Sequence, residues 1–248
     1  MIVSSDRKPK EKMKKLTYIL LLLLSFYFII SCAKSKKQIE IKPKDQNYIF
    51  FLHNKFVEEN NLEVEHSEYG KVEYSEIIKE FEKDDFIVLS EKRKKNTDVE
   101  LYAEKIVSQV DSLLKIGVKP NHISVIGTSK GGYIAQYVST IIANPNLNFV
   151  FIGCFQESDI ENYPEINYCG NILTIYEKSD FYGVSAMKRK TTSKLKINKF
   201  QEIELDTNLK HGFLFKALKE WVEPSKMWAK RNYKLEINKN PTDRKSVV

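Results

Sequence analysis

The chain has 248 residues, 42% hydrophobic and 29% charged, which suits one folded domain with a sizeable core and excludes a disordered or collagen-like chain. Its formal charge is +7, but residues 1–31 carry four of those charges, and the remaining +3 is too little for a nucleic-acid-binding face. No H-E-x-x-H, no cysteine pair at zinc spacing and no nucleotide-binding glycine fingerprint occurs, so no metal and no cofactor is expected.

In chain order, the basic residues Lys12, Lys14 and Lys15 precede an apolar run from Leu16 to Ile30, and small residues follow at Ser31-Cys32-Ala33. This is the form of a secretory signal over 1–31, with Met13 as an alternative start. The ending Ile29-Ile30-Ser31-Cys32 resembles the lipobox of bacterial lipoproteins, with Ile29 where leucine is commoner. The resemblance implies export and acylation of Cys32, leaving the protein anchored to a bacterial membrane. An uncleaved anchor is the rival reading, but at about 1.5 Å per residue this run falls short of a ~30 Å hydrocarbon core. Residues 32–46 are polar and lysine-rich and read as a tether.

From Tyr48 short apolar runs alternate with amphipathic stretches. Strands are predicted at Tyr48–Leu52, Phe86–Leu89, Ile123–Ile126, Phe149–Ile152, Ile172–Tyr176 and Ile203–Leu205, all continuous enough to be covered on both faces. Thr97-Asp98-Val99-Glu100 has the form of a capping box and opens a helix with Ala103, Ile106, Val110, Leu113 and Leu114 on one face. A second helix runs from Gly132 to Pro145, with shorter ones at Tyr74–Phe81 and Phe213–Trp221. Strands alternating with helices imply an α/β fold: a mostly parallel sheet of about six strands, helices on both faces, in one domain over 47–230. Residues 231–248 read as a fraying polar tail.

Gly127-Thr128-Ser129-Lys130-Gly131 falls between the clearest strand and one of the clearest helices. A serine there sits on a strained strand-to-helix turn, with glycines two positions away where bulk would collide. Such a serine needs a base, and the base an orienting carboxylate. Four histidines are candidates. His66 lies in a polar loop, His122 precedes its strand at the far end, and His53 comes before the serine. His211 follows the last strand and matches the order serine, acid, histidine. Asp180 is the favoured acid, with Glu177 and Asp206 as rivals that also follow apolar strands.

Ser129, Asp180 and His211 in that order resemble the triad of the α/β-hydrolase superfamily, with similarity from about Tyr48 to Trp228. Phe51-Leu52-His53-Asn54, Ser129-Lys130-Gly131-Gly132 and His211-Gly212-Phe213 resemble small bacterial members, in which the first strand ends in His-Gly and its loop supplies an oxyanion donor. Here Asn54 replaces that glycine. Asparagine tolerates left-handed geometry, so the second donor is assigned loosely to Asn54 or Lys55, and the first to the Lys130 amide. The resemblance implies a serine hydrolase acting on esters or related acyl groups. A peptidase or thioesterase uses the same triad, and a non-catalytic, membrane-tethered binding protein is the rival class.

Lys92-Arg93-Lys94-Lys95 reads as a solvated loop, or else as one that attracts an anionic substrate or lipid headgroups. Cys154 and Cys169 fall near opposite sheet ends, too far apart to bridge, and read as free, mostly buried thiols. Only about 18 residues, from Gly153 to Gly170, separate two strands where larger relatives insert a lid, so an open site with no cap domain and a modest apolar pocket is expected.

Overall fold

A computed structural model describes residues 43–235. The signal segment, Cys32 and tether residues 32–42 lie outside the described residues, as do tail residues 236–248. Pro43–Asp45, expected as tether, form one 3-10 turn that leads into the first strand. Among the described residues no helix is long and apolar enough to cross a membrane.

The main sheet is built from β1 (Asn47–Leu52), β4 (Phe86–Leu89), β5 (Ile123–Thr128), β6 (Asn148–Ile152), β7 (Gly170–Glu177) and β8 (Ile197–Leu205). Its order is β4-β1-β5-β6-β7-β8 and every pairing is parallel. Two short strands, β2 (Glu65–His66) and β3 (Gly70–Lys71), make a separate antiparallel ribbon. The helices are α1 (Lys55–Glu59), α2 (Tyr74–Glu82), α3 (Val99–Lys115), α4 (Lys130–Ile142), α5 (Asp159–Asn162), α6 (Met187–Thr192) and α7 (Lys219–Ala229).

Alternate strand residues feed two cores. Phe50, Leu52, Val125 and Phe149 pack with Ala103, Ile106 and Val110 of α3 and Ile134 and Val138 of α4. Ile49, Phe51, Ile126 and Val150 pack on the other face with Ile77 and Phe81 of α2 and Trp221 and Trp228 of α7. Each fully buried side chain of this size contributes about 1.5–3 kcal/mol relative to exposure. Because both faces are covered, the central strands read as unbroken apolar runs.

The structure corrects several expectations. The helix expected at Phe213–Trp221 is a 3-10 turn, Lys210–Phe215, followed by α7, which carries Pro224 inside it. The cap of α3 is Asp98, whose Oδ1 accepts from the Leu101 amide at 2.9 Å, so the box built on Thr97 does not form. Aspartate caps as well as threonine, and the Thr97 amide is engaged elsewhere, on Glu58. The tail docks as far as Leu235: Arg231 donates to Asn47, Tyr233 to Asn148, and Gln201 to the Leu235 carbonyl. β8 begins at Ile197, six residues before the apolar stretch that announces it, because an edge strand needs only one apolar face.

The chain runs from β1 outward to β4, then returns to the other side of β1 as β5. The strand order therefore reverses between β1 and β5, and the turns after these two strands meet at one crevice. Open parallel sheets bind ligands at such a reversal, outside the strand C-termini.

Candidate active site

Ser129 stands between β5 and α4 with φ 50° and ψ −120°, a backbone conformation that costs about 1–3 kcal/mol and persists only when its surroundings enforce it. The enforcement is visible. The Ser129 amide donates to Ile152, and its carbonyl accepts from Gly132 and Tyr133. A Cβ on Gly127 would lie 2.2 Å from the Gly131 oxygen, and one on Gly131 only 1.9 Å from the Leu52 oxygen. Gly132 has its own reason, since a Cβ there would meet the Cys154 sulfur at 2.3 Å. The turn is thus wedged between the end of β1 and the start of the β6–β7 connection.

His211 Nε2 lies 2.9 Å from Ser129 Oγ, and His211 Nδ1 lies 2.7 Å from Asp180 Oδ2. The hydrogen-bond partners assign the tautomer: Nδ1–H donates to the carboxylate, which leaves Nε2 as the acceptor facing the serine hydroxyl. The other carboxylate oxygen of Asp180 accepts from the Tyr182 amide at 2.8 Å. The Asp180 side chain has no exposure, whereas that of His211 is 13% exposed. The Tyr182 ring meets His211 edge-on, 5.2 Å between centroids, and Phe181 beside it is 84% exposed.

The rival acids stand elsewhere. Asp206 pairs with Lys178 on the exposed surface. Glu177 is buried and accepts from Ser179 with one oxygen and from Thr207 with the other, stitching the loop after β7 to the loop after β8. Burial opposes its charge, but the hydrogen bonds from Thr207 and Ser179 outweigh it and hold its carboxyl below the usual glutamate value. Ser179 Oγ in turn accepts from the Lys210 amide at 3.1 Å, so the acid loop and the histidine loop are tied together.

At the candidate oxyanion side, Lys130 and Lys55 each open a helix, so their amides have no intrahelical acceptor. Asn54 is not left-handed: it lies at φ −68° and ψ 173° and caps α1, its Oδ1 accepting from Val57 at 3.1 Å. The His-Asn departure therefore needs no strained backbone, because asparagine serves here as an N-cap. Asn54 is buried and Lys55 exposed.

His53 is buried, with Nδ1 on the Asn54 carbonyl at 2.8 Å and Nε2 accepting from the Arg93 amide at 3.0 Å. Burial, with the Arg93 charge beside it, lowers its pKa to about 4, so the ring is neutral. His66 stacks on Tyr69, and His122 lies beside the N-terminal end of β5, away from the serine. Of the basic loop, Lys92, Lys94 and Lys95 are exposed, but Arg93 is 2% exposed and bonded to Glu58, contrary to a wholly solvated loop. Its neighbours in sequence are all cations, and nothing in the pattern marks it as the one that turns inward. Cys154 and Cys169 are free and buried, and burial pushes both thiols up. Among the described residues no group of three or more His, Cys, Asp or Glu could hold a metal ion.

Two solved structures share the architecture. SOBER1 of Arabidopsis thaliana matches with a TM-score of 0.50 at 15% identity, covering 76% of this chain and 100% of that one. An esterase/lipase from an uncultured bacterium gives 0.52 at 12% identity, covering 75% of this chain and 76% of that one. Identities this low carry the fold and not the chemistry. No family model matches the chain, and no curated protein matches it by sequence. The fold is that of the α/β hydrolases, a six-stranded parallel sheet with helices on both faces in one domain.

Proposed function

We propose that this α/β-hydrolase fold is a serine hydrolase that cleaves carboxylic esters or related acyl groups through an acyl-enzyme. The observation that carries the reading is the unbroken relay from Ser129 Oγ to His211 at 2.9 Å and from His211 to the buried Asp180 at 2.7 Å, mounted on a positive-φ turn. In this reading His211 Nε2 takes the Ser129 proton as Oγ attacks the carbonyl carbon. Asp180 holds the tautomer and stabilises the imidazolium, which then protonates the leaving group. Water repeats the sequence on the acyl-enzyme. The Lys130 amide and an amide of Asn54 or Lys55 receive the developing oxyanion.

The exposed rings of Phe181 and Tyr182 favour a substrate with an apolar group beside His211. The lipobox-like sequence before Cys32 supports a membrane-anchored protein acting outside the cytoplasm, with the tether giving the domain reach. A panel of p-nitrophenyl acetate, butyrate and octanoate tests the reaction. Turnover of at least one ester should drop about 10³-fold or more in Ser129→Ala. Equal turnover by the variant and the unmutated protein would refute the assignment.

A further inference from the structure

A second set of polar groups, centred on a buried carboxylate, reaches Lys130 next to Ser129 and takes no part in the Ser129–His211–Asp180 relay. Glu58 of α1 has no exposure, yet it accepts from Arg93 Nε at 2.9 Å, from Lys130 Nζ at 2.6 Å and from the Thr97 amide at 3.1 Å. Lys130 Nζ also donates to the Thr97 carbonyl at 2.6 Å. One carboxylate thus joins two cations, and the cluster carries one excess positive charge. Buried ion pairs are poor sources of stability, since desolvation costs several kcal/mol per ion and apolar replacements do as well. Their location is more informative than their energy.

Arg93 grips the turn after β1. Its Nη2 donates to the His53 carbonyl at 2.5 Å and approaches the Asn54 carbonyl at 3.4 Å, which also accepts from His53 Nδ1. In a trans peptide the C=O and the following N–H point in opposite directions. A His53 carbonyl turned toward Arg93 therefore turns the Asn54 amide away from it. An Asn54 carbonyl turned toward His53 and Arg93 does the same to the Lys55 amide. Whichever of these amides serves as the second oxyanion donor, the same guanidinium fork sets its direction. The first donor, the Lys130 amide, belongs to the residue whose side chain ends on the same Glu58.

We propose that Glu58, Arg93 and Lys130 position the oxyanion hole: Arg93 orients the His53–Lys55 peptides, and Glu58 locks them to the nucleophile turn. The inference rests on the serine-hydrolase reading. When Ser129 Oγ bonds to the carbonyl carbon, its proton passes to His211 Nε2 and the carbonyl π pair moves onto oxygen. The excess positive charge of the cluster favours that oxyanion in addition to the oriented amides.

The test uses Arg93→Met and Arg93→Lys in the full chain, with rates expressed per serine titrated by a fluorophosphonate. Arg93→Met should lower kcat on p-nitrophenyl acetate about 10–100-fold while KM moves less than about threefold. With a trifluoromethyl ketone carrying carbonyl 13C, the pKa of the bound hemiketal oxyanion should rise in Arg93→Met and recover partly in Arg93→Lys. A kcat per titrated serine within about threefold of the unmutated protein, with the oxyanion pKa unmoved and only the melting temperature lowered, would reduce Arg93 to a staple of the fold and overturn the proposal. If Arg93→Met does not fold, Arg93→Lys is judged alone by the same two readouts. An unmutated protein with no titratable serine would instead refute the hydrolase reading, and this inference with it.

Discussion

At the scale of residues, neighbouring carboxylates illustrate how environment divides roles. Asp180 and Glu177 are three positions apart and both are buried, yet one faces His211 and the other joins two loops. Asp180→Asn should lower kcat about 10⁴-fold, because it loses the acceptor that holds the tautomer. Glu177→Gln should keep most of the rate and lose about 1–3 kcal/mol of stability, as read by urea unfolding. The reverse pattern would exchange their roles. His53 makes a separate claim. Its pKa is about 4 when folded, against 6.5 for a free ring, so between those values the unfolded chain binds the extra proton. Stability should therefore rise with pH across that window, by roughly 3 kcal/mol from this residue alone. Unfolding free energies at pH 4.5 and 7 should show a difference that shrinks in His53→Gln.

At the scale of elements, the Ser129 turn is held by absent side chains. Gly131→Ala would drive a Cβ into the Leu52 carbonyl, and backbone cannot give way as a flexible side chain can. The variant should lose activity and melt lower, even though alanine favours a helix start. Normal activity would mean that the packing of this turn on β1 is looser than described. The same physics explains what could be read from the chain beforehand. β1, β5, β6 and β7 are covered on both faces, so they announce themselves as apolar runs, and α3 and α4 show a helical stripe. The serine turn and His211 follow from those elements plus chain order, whereas chain order leaves Glu177 and Asp206 as rivals to Asp180. β2 and β3 bury little and left no pattern, and α7 was obscured by Pro224 and its charged neighbours. Arg93 and Glu58 were illegible for a different reason, since a buried ion pair looks in sequence like two solvated residues until the fold brings positions 35 apart together.

At the scale of the molecule, the order β4-β1-β5 sets where the crevice at the strand C-termini lies. It brings the turn after β1 against the turn after β5, while β7 and β8, lying further along the sheet, deliver Asp180 and His211 from the same edge. The His53–Lys55 turn, Ser129, Asp180 and His211 thus stand at four separate strand ends, each rooted in a core that extends across both faces. The most direct measurement is the intact mass of the domain after reaction with a fluorophosphonate, beside Ser129→Ala and His211→Ala. A single adduct on the unmutated protein, mapped to Ser129 and missing from both variants, is the expected result. No adduct at saturating probe, or one that persists in Ser129→Ala, would contradict an activated serine at this site.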